Sequence, residues 1–286
     1  MGILQPGALV NSARLKEIAL SAGAAAAGIA PAAVIPEIKR FSAAVKDAPR
    51  GLSYLGRGLS RRENVKNWYA EARCVLMCAF RYWGPERDYA AELAKAGEPM
   101  SYLKNTGRKL YQPGLLARAG AKLSRYALNR DYHIAVKEKL AAALERIRAE
   151  ERAADGKLFC DSSPVLEKEL GRLAGLGFRG KNTLLVSPER GSYFFLGGIA
   201  LNFEAEADAP CAGSCGSCDA CERACPTGAL KGGTLDASRC ISYWTTQAKE
   251  EIPPEMDALN PGWAYGCDLC QEICPYNTAK VSGLRS

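Results

Sequence analysis

Eight cysteines near the end of the sequence are spaced as metal ligands. Cys215, Cys218, Cys221 and Cys225 form a C-x2-C-x2-C-x3-C-P run that ends at Pro226, Cys240 follows alone, and Cys267, Cys270 and Cys274 precede Pro275. Thiolates are the soft ligands that iron–sulfur clusters select, and the first run has the spacing of bacterial ferredoxins. In that pattern three close thiolates wrap one cluster, while the fourth, turned away before proline, ligates the other. The second half-motif lacks only its opening cysteine, which Cys240 can supply across about 26 residues. The spacing therefore predicts two [4Fe–4S] clusters, one on Cys215, Cys218, Cys221 and Cys274, the other on Cys225, Cys240, Cys267 and Cys270. Zinc also takes C-x2-C pairs, but it would leave two C-x3-C-P endings unexplained. Cys211 is left over, Cys74 and Cys78 lie in the apolar run CVLMCAF and read as buried small hydrophobes, and Cys160 stays open beside Asp161.

Outside this segment the chemistry-bearing residues are few. His133 is the one histidine, so a Ser-His-Asp triad or a multi-histidine metal site would have to be built around it. It sits among Arg125, Tyr126, Arg130, Asp131 and Tyr132, polar and aromatic groups that are costly to keep together without partners. Asp161, in Phe159-Cys-Asp-Ser-Ser-Pro164, reads locally as a helix N-cap; in a closed apolar site its pKa would instead rise and let it donate a proton near neutral pH. Gly175-Leu-Gly177-Phe-Arg-Gly180 matches G-x-G-x-x-G, but a helical pattern precedes it and a strand follows, the reverse of the dinucleotide fingerprint.

The elements that must position these residues alternate helical patterns with short apolar runs, which predicts an α/β or α+β domain over residues 1–209 and a ferredoxin-like domain over 210–286. Helices are expected at Asn11–Ser21, Lys122–Arg130, Ala135–Arg152 and Val165–Ala174. Strands are expected at Ala24–Ala30, Cys74–Phe80, Thr183–Ser187 and Phe194–Asn202. The acidic stretch Glu204–Ala209, ending at Pro210, marks the boundary. Residues Ile18–Pro36 carry no charge but are mostly Ala and Gly and are broken by Pro31, so they read as a helix and a strand, not a membrane span. A reducing, cytoplasmic setting suits cysteines at ligand spacing. The 38 Lys and Arg against 31 Asp and Glu give a net +7, which favours a polyanionic partner.

The segments Arg125–His133, Asp161-Ser-Ser-Pro-Val-Leu-Glu167, Ala174–Thr183, Gly191–Gly197, Arg239-Cys-Ile-Ser-Tyr243 and Tyr265-Gly-Cys-Asp-Leu-Cys-Gln271 together resemble the epoxyqueuosine reductases of queuosine biosynthesis. The resemblance implies a cobalamin held between the N-terminal domain, which it makes the cobalamin-binding one, and the ferredoxin-like domain, with both clusters feeding it electrons. The implied reaction is reduction of the epoxide of epoxyqueuosine in tRNA to an alkene. Asp161 falls on the family's catalytic acid. Lys181, Leu185, Leu196, Ser242 and Asp268 lie in segments that line the family's cobalamin site, and Arg61 and His133 are grouped with them. No Asp-x-His-x-x-Gly motif is present, so no histidine from such a module is expected on cobalt. Many relatives continue into a helical-repeat domain that contacts tRNA, whereas this sequence stops at Ser286, and Glu63-Asn64 stands where Asp-Pro is common. The expected partners are the modified tRNA and an electron-donor protein, and the expected state is a monomer. Two alternatives are a reductase of a smaller substrate, in the manner of reductive dehalogenases, and a plain electron carrier. The carrier would have no need of a proton donor such as Asp161.

Overall fold

The computed structural model describes residues 11–105 and 108–278; the outer ends of both expected domains, 1–10 and 279–286, lie outside that range. Its centre is a four-stranded antiparallel sheet of β1 (Ala26–Pro31), β2 (Cys74–Arg81), β3 (Gly156–Phe159) and β4 (Phe194–Leu201), ordered β1-β2-β4-β3. Alternation in β2 shows why the sheet is covered on both faces. Cys74, Leu76, Cys78 and Phe80 point into one core, with Leu15 and Ile18 of helix α1 (Ser12–Ser21) and Leu140, Leu144 and Ile147 of helix α2 (Tyr132–Glu150). Val75, Met77 and Ala79 point into the other, with Val65, Phe159 and Leu170, the last from helix α3 (Glu167–Leu173). Cys74 and Cys78 are buried and their thiols are pushed up to about 12 by that burial, as apolar packing requires.

Close approach explains two glycines. A Cβ on Gly28 of β1 would stand 2.0 Å from the Ala174 carbonyl oxygen at the end of α3, and one on Gly198 of β4 would stand 2.5 Å from Phe159 Cζ. The acidic stretch after β4 is bound to the edge strand: Asp208 N donates to Ile29 O (2.9 Å), Ile29 N donates to Asp208 Oδ2 (2.8 Å) and Lys16 pairs with Asp208 Oδ1 (2.6 Å). It blunts the open edge of β1.

Several boundaries move. The helix expected over Lys122–Arg130 is a two-residue strand, Lys122–Leu123, running parallel to Trp263–Tyr265, followed by a single turn, Arg125–Leu128. Tertiary pairing overrides helical pattern there, since Ser124 N donates to Tyr265 O and Arg125 N to Asp268 Oδ2. The Thr183–Ser187 strand shrinks to Leu185–Val186 because Thr183 takes φ +65. The strand expected at Ala24–Ala30 begins two residues later.

Candidate active site

Asp161 leaves β3 with φ +57, a backbone conformation that only short polar residues tolerate without glycine. Its side chain does not cap a helix: α3 begins at Glu167 and Leu166 holds the cap position, so the local capping reading is overturned. Instead Tyr132 Oη donates to Asp161 Oδ2 at 2.6 Å, and His133 Nε2 lies 3.0 Å from the same oxygen. Both rings come from the first turn of α2, where Asp131 caps the helix by accepting from His133 N (2.9 Å) and faces His133 Nδ1 (2.8 Å). Tyr132 stacks on His133 at 4.1 Å and on Phe195 at 4.4 Å, which fixes the imidazole plane.

Each imidazole nitrogen thus faces a carboxylate oxygen, and only the doubly protonated ring donates to both. The pKa of His133 is accordingly raised, first by the bond to Asp161 against burial, then by Asp131. Asp161 is held below the usual carboxylate range, chiefly by His133 and also by Tyr132, against partial burial. This differs from the expectation of a raised Asp161 pKa, because Tyr132 and His133 both converge on the carboxylate and favour its charged form. The carboxyl beside it, Glu167, is pushed up to about 8 by burial and by the neighbouring Asp161 charge, while its Oε1 accepts a hydrogen bond from Asp161 N.

A cleft of about 650 Å3 opens between the two halves, lined by Arg50, Tyr54, Arg57 and Tyr111 from the first and by Gln247 and Lys249 from the second. Tyr54 stands within the field of Asp161, and Gly51 N donates to Tyr243 Oη (3.3 Å), which ties the walls together.

A second cavity, of about 230 Å3, is lined by Cys215, Cys218, Cys221 and Cys274 together with Asn182 and Val186. These are the four thiols that the spacing groups, including the one that crosses from the second half-motif. Cys267 lies within the fields of Cys240 and Cys225, and Cys270 within those of Cys267 and Cys240 and also of Cys221 in the first group. All twelve cysteines are free thiols. Among the described residues no three His, Cys, Asp or Glu side chains converge on a single-ion site; the first four thiols surround a void, as ligands of a four-iron cube would.

The other expected residues fall in different places. Lys181 and Asn182 form the turn after the Gly175–Gly180 segment, which does run from a helix into a hairpin. Lys181 Nζ donates to Gly216 O (3.0 Å) and its backbone N–H to Cys215 Sγ (3.3 Å), so it clasps the first thiol loop. Leu185 is buried in the core and Leu196 packs against it, its carbonyl accepting from Cys160 Sγ. Ser242 is half-buried on the short helix Ile241–Thr246 beside Tyr243. Asp268 is buried with its carboxylate taken by Arg125, whose guanidinium also meets Glu272 and lies over the rings of Trp83, Tyr89 and Tyr193. Arg61 is exposed. Its neighbour Arg62 turns inward over Phe41, stands near Tyr54 and Glu167, and leaves Nε without a hydrogen-bond partner. The sequence reading named Tyr132 only as one of the groups clustered around His133 and Glu167 only as the end of the Asp161 segment, with no role for either, and it did not name Arg62.

A model of the 4Fe-4S double cluster binding domain matches residues 214–277, and the model "Epoxyqueuosine reductase QueG, DUF1730" matches residues 62–162. The epoxyqueuosine reductase of Pseudomonas aeruginosa is 39% identical over 258 residues, covering 85% of this chain and 70% of its own length. This chain belongs to the epoxyqueuosine reductase family. The family member from Leadbetterella byssophila is 43% identical over 157 residues, 55% of this chain and 52% of its own length, so the chain spans about half to seven tenths of these two curated relatives. The epoxyqueuosine reductase structure from Streptococcus thermophilus aligns with a TM-score of 0.73 at 26% identity, covering 93% of this chain and 66% of that one. An epoxyqueuosine reductase solved with an epoxyqueuosine-modified tRNA stem loop gives 0.70 at 26% identity, covering 94% and 65%. The Bacillus subtilis enzyme, solved with its catalytic aspartate loop swung out of the active site, gives 0.73 at 26%, covering 96% and 67%. A catabolic reductive dehalogenase at 16% identity and TM-score 0.57 shares the fold alone. Among the described residues no helix is long and apolar enough to cross a membrane.

Proposed function

We propose that this epoxyqueuosine reductase family member reduces the epoxide of epoxyqueuosine in tRNA to the alkene of queuosine. The conversion takes up two electrons and two protons and releases the epoxide oxygen as water. The observation that carries the reading is the Tyr132–His133–Asp161 constellation beside a cleft walled by both halves of the chain. Residues 1–209 would form the domain that presents it, and 210–286 the cluster domain.

Two [4Fe–4S] clusters would be held by Cys215, Cys218, Cys221 and Cys274 and by Cys225, Cys240, Cys267 and Cys270. The cavity among the first four thiols, and the mutual fields of the others, fit them. Such clusters supply low-potential electrons, down to about −400 mV and below. The cleft fits a cobalamin in the chemistry of its donors: the guanidinium of Arg50 and the ammonium of Lys249 suit a phosphodiester, and Tyr54, Tyr111 and Gln247 suit an amide fringe. Bound there, the cobalamin would supply the redox-active metal next to the substrate. Ser242 borders this region through Tyr243, whereas the Lys181 and Asp268 side chains are engaged by protein, so any contribution of theirs to the cofactor would come through backbone.

Asp161 acts as the group that hands a proton to the epoxide oxygen. Its exposed carboxylate can reach a substrate in the cleft, and the proton it needs is held 3.0 Å away at His133 Nε2. Asp131 steadies the imidazolium from behind, and the Tyr132 hydroxyl fixes which Asp161 oxygen faces it. The net +7 suits a tRNA partner, and eight cysteines at cluster-ligand spacing suit the reducing cytoplasm. A monomer served by an electron-donor protein completes the proposal. The test is anaerobic turnover of tRNA carrying epoxyqueuosine by chemically reduced enzyme, with nucleosides digested and weighed. A product lighter by one oxygen is expected. Loaded enzyme that leaves the nucleoside untouched but reduces a small epoxide or organohalide would overturn the tRNA assignment.

A further inference from the structure

Asp161 is held at two ends by different elements. Its carboxylate is gripped by Tyr132 and His133 on α2, and its backbone N–H is gripped by Glu167 Oε1 on α3. The turn around Asp161 carries a bond from Ser162 N to Cys160 O (2.6 Å) and a φ of +57, and the Asp161 N–H donates to the carboxyl at the start of α3. A backbone in this sparsely populated region persists only where its surroundings hold it. Tyr132 and His133 alone could follow an aspartate on a swinging loop; the Glu167 bond fixes the main chain beneath it.

We infer that Glu167 is a positioning residue, a latch on the Asp161 main chain that keeps the carboxylate seated against His133 and aimed into the cleft. The interaction needs an acceptor oxygen at that reach and not a negative charge. Burial and the neighbouring Asp161 charge favour the neutral acid of Glu167 up to about pH 8, and a neutral carboxyl still accepts through its carbonyl oxygen. Glutamine reproduces that state, alanine removes the acceptor, and aspartate keeps a carboxyl but withdraws it by one methylene.

His133, the one histidine of the sequence, turns the latch into something that can be read without turnover. Its imidazole gives one Cε1–H signal in ring-labelled protein, and its midpoint is raised first by Asp161. In cluster-loaded, oxidised full-length protein, Glu167→Ala and Glu167→Asp are expected to lower the His133 midpoint by about one pH unit or more, as losing an adjacent carboxylate does. Glu167→Gln should leave it within a few tenths of the parent. Iron content and circular dichroism establish that each variant is folded; should the alanine variant fail that check, the aspartate and glutamine variants decide the matter. The link to catalysis rests on the proposed function: on epoxyqueuosine tRNA, kcat should fall about 100-fold in the Ala and Asp variants with KM little changed, and recover in Gln, the size expected when a reacting group is displaced by about 1 Å. A His133 midpoint unmoved in folded Glu167→Ala or Glu167→Asp, or lowered equally in Glu167→Gln, overturns the latch whatever the enzyme turns over. A shifted midpoint with no epoxide reduction in the parent protein overturns the substrate instead.

Discussion

His133 Nε2 and Asp161 Oδ2 stand 3.0 Å apart, and the imidazole's other nitrogen is 2.8 Å from Asp131 Oδ1. The pair therefore carries its proton on the ring, with Asp161 below its ordinary pKa and His133 above. Asp161→Asn keeps the shape and removes the proton-transferring carboxylate, so turnover should drop about 100-fold to 10,000-fold with clusters retained. Activity of the parent should decline on the alkaline side as the pair loses its proton through the raised His133 midpoint. The linked stability has the same sign: the His133 contribution is complete below about 6.5, its ordinary value, and is lost as pH rises through the raised one. The Asp161 contribution is complete above about 3.9 and is lost as pH falls through its depressed value. Near-normal turnover and an unchanged profile in Asp161→Asn would move the proton to water or another group.

The crossed ligation that the spacing predicts agrees with the cavity among the first four thiols. Cys274 ends the second half-motif yet shares a cavity with Cys215, Cys218 and Cys221. Reconstituted protein should hold about eight irons, from two four-iron clusters. Cys274→Ala should disturb the same cluster signal as Cys218→Ala, and Cys240→Ala should disturb the other. Retention of the full iron count by Cys240→Ala would contradict the assignment.

The contrast between what was readable and what was not follows from range. Ligand spacing is local and repeated, so the four thiols that line one cavity could be grouped from the sequence, and the continuous apolar run CVLMCAF announced the strand Cys74–Arg81. The Lys122–Arg130 segment failed because its conformation is set by Trp263–Tyr265 and Asp268, more than a hundred residues away. Asp161 was found through its family segment, but its ionisation was misjudged: an apolar enclosure was assumed where Tyr132 and His133 converge on the carboxylate. Glu167 left no periodic signal, because its part depends on the turn geometry of Asp161.

Binding of tRNA should weaken steeply with salt, because each phosphate contact releases counterions, with a logarithmic slope of about −0.7 to −0.9 per contact. Arg57 on the cleft wall is the candidate. Arg57→Gln should weaken binding uniformly across RNA sequences and reduce the slope by about one. Filter binding at several salt concentrations checks it; an unchanged slope would take Arg57 out of the interface, and equal affinity for unrelated RNA of the same length would count against specific recognition.

Arg125 joins the two halves by charge as well as by chain. Its Nη1 lies 3.2 Å from Asp268 Oδ2 and 2.5 Å from Glu272 Oε1, and Arg125 and Asp268 are 15% and 1% exposed. Three aromatic rings around the guanidinium exclude water, so the interaction is screened far less than a surface pair. Arg125→Met should cost about 3 kcal/mol or more, because it strands the Asp268 carboxylate in a site it cannot leave. Asp268→Asn alone should cost less, since an amide still accepts from Arg125 N. The double variant Arg125→Met/Asp268→Asn separates desolvation from lost packing. If the penalty comes from the stranded charge, the double variant should be more stable than Arg125→Met, an outcome that loss of ring contacts alone would not produce. Thermal unfolding of cluster-loaded protein, with iron content measured before and after, compares the three.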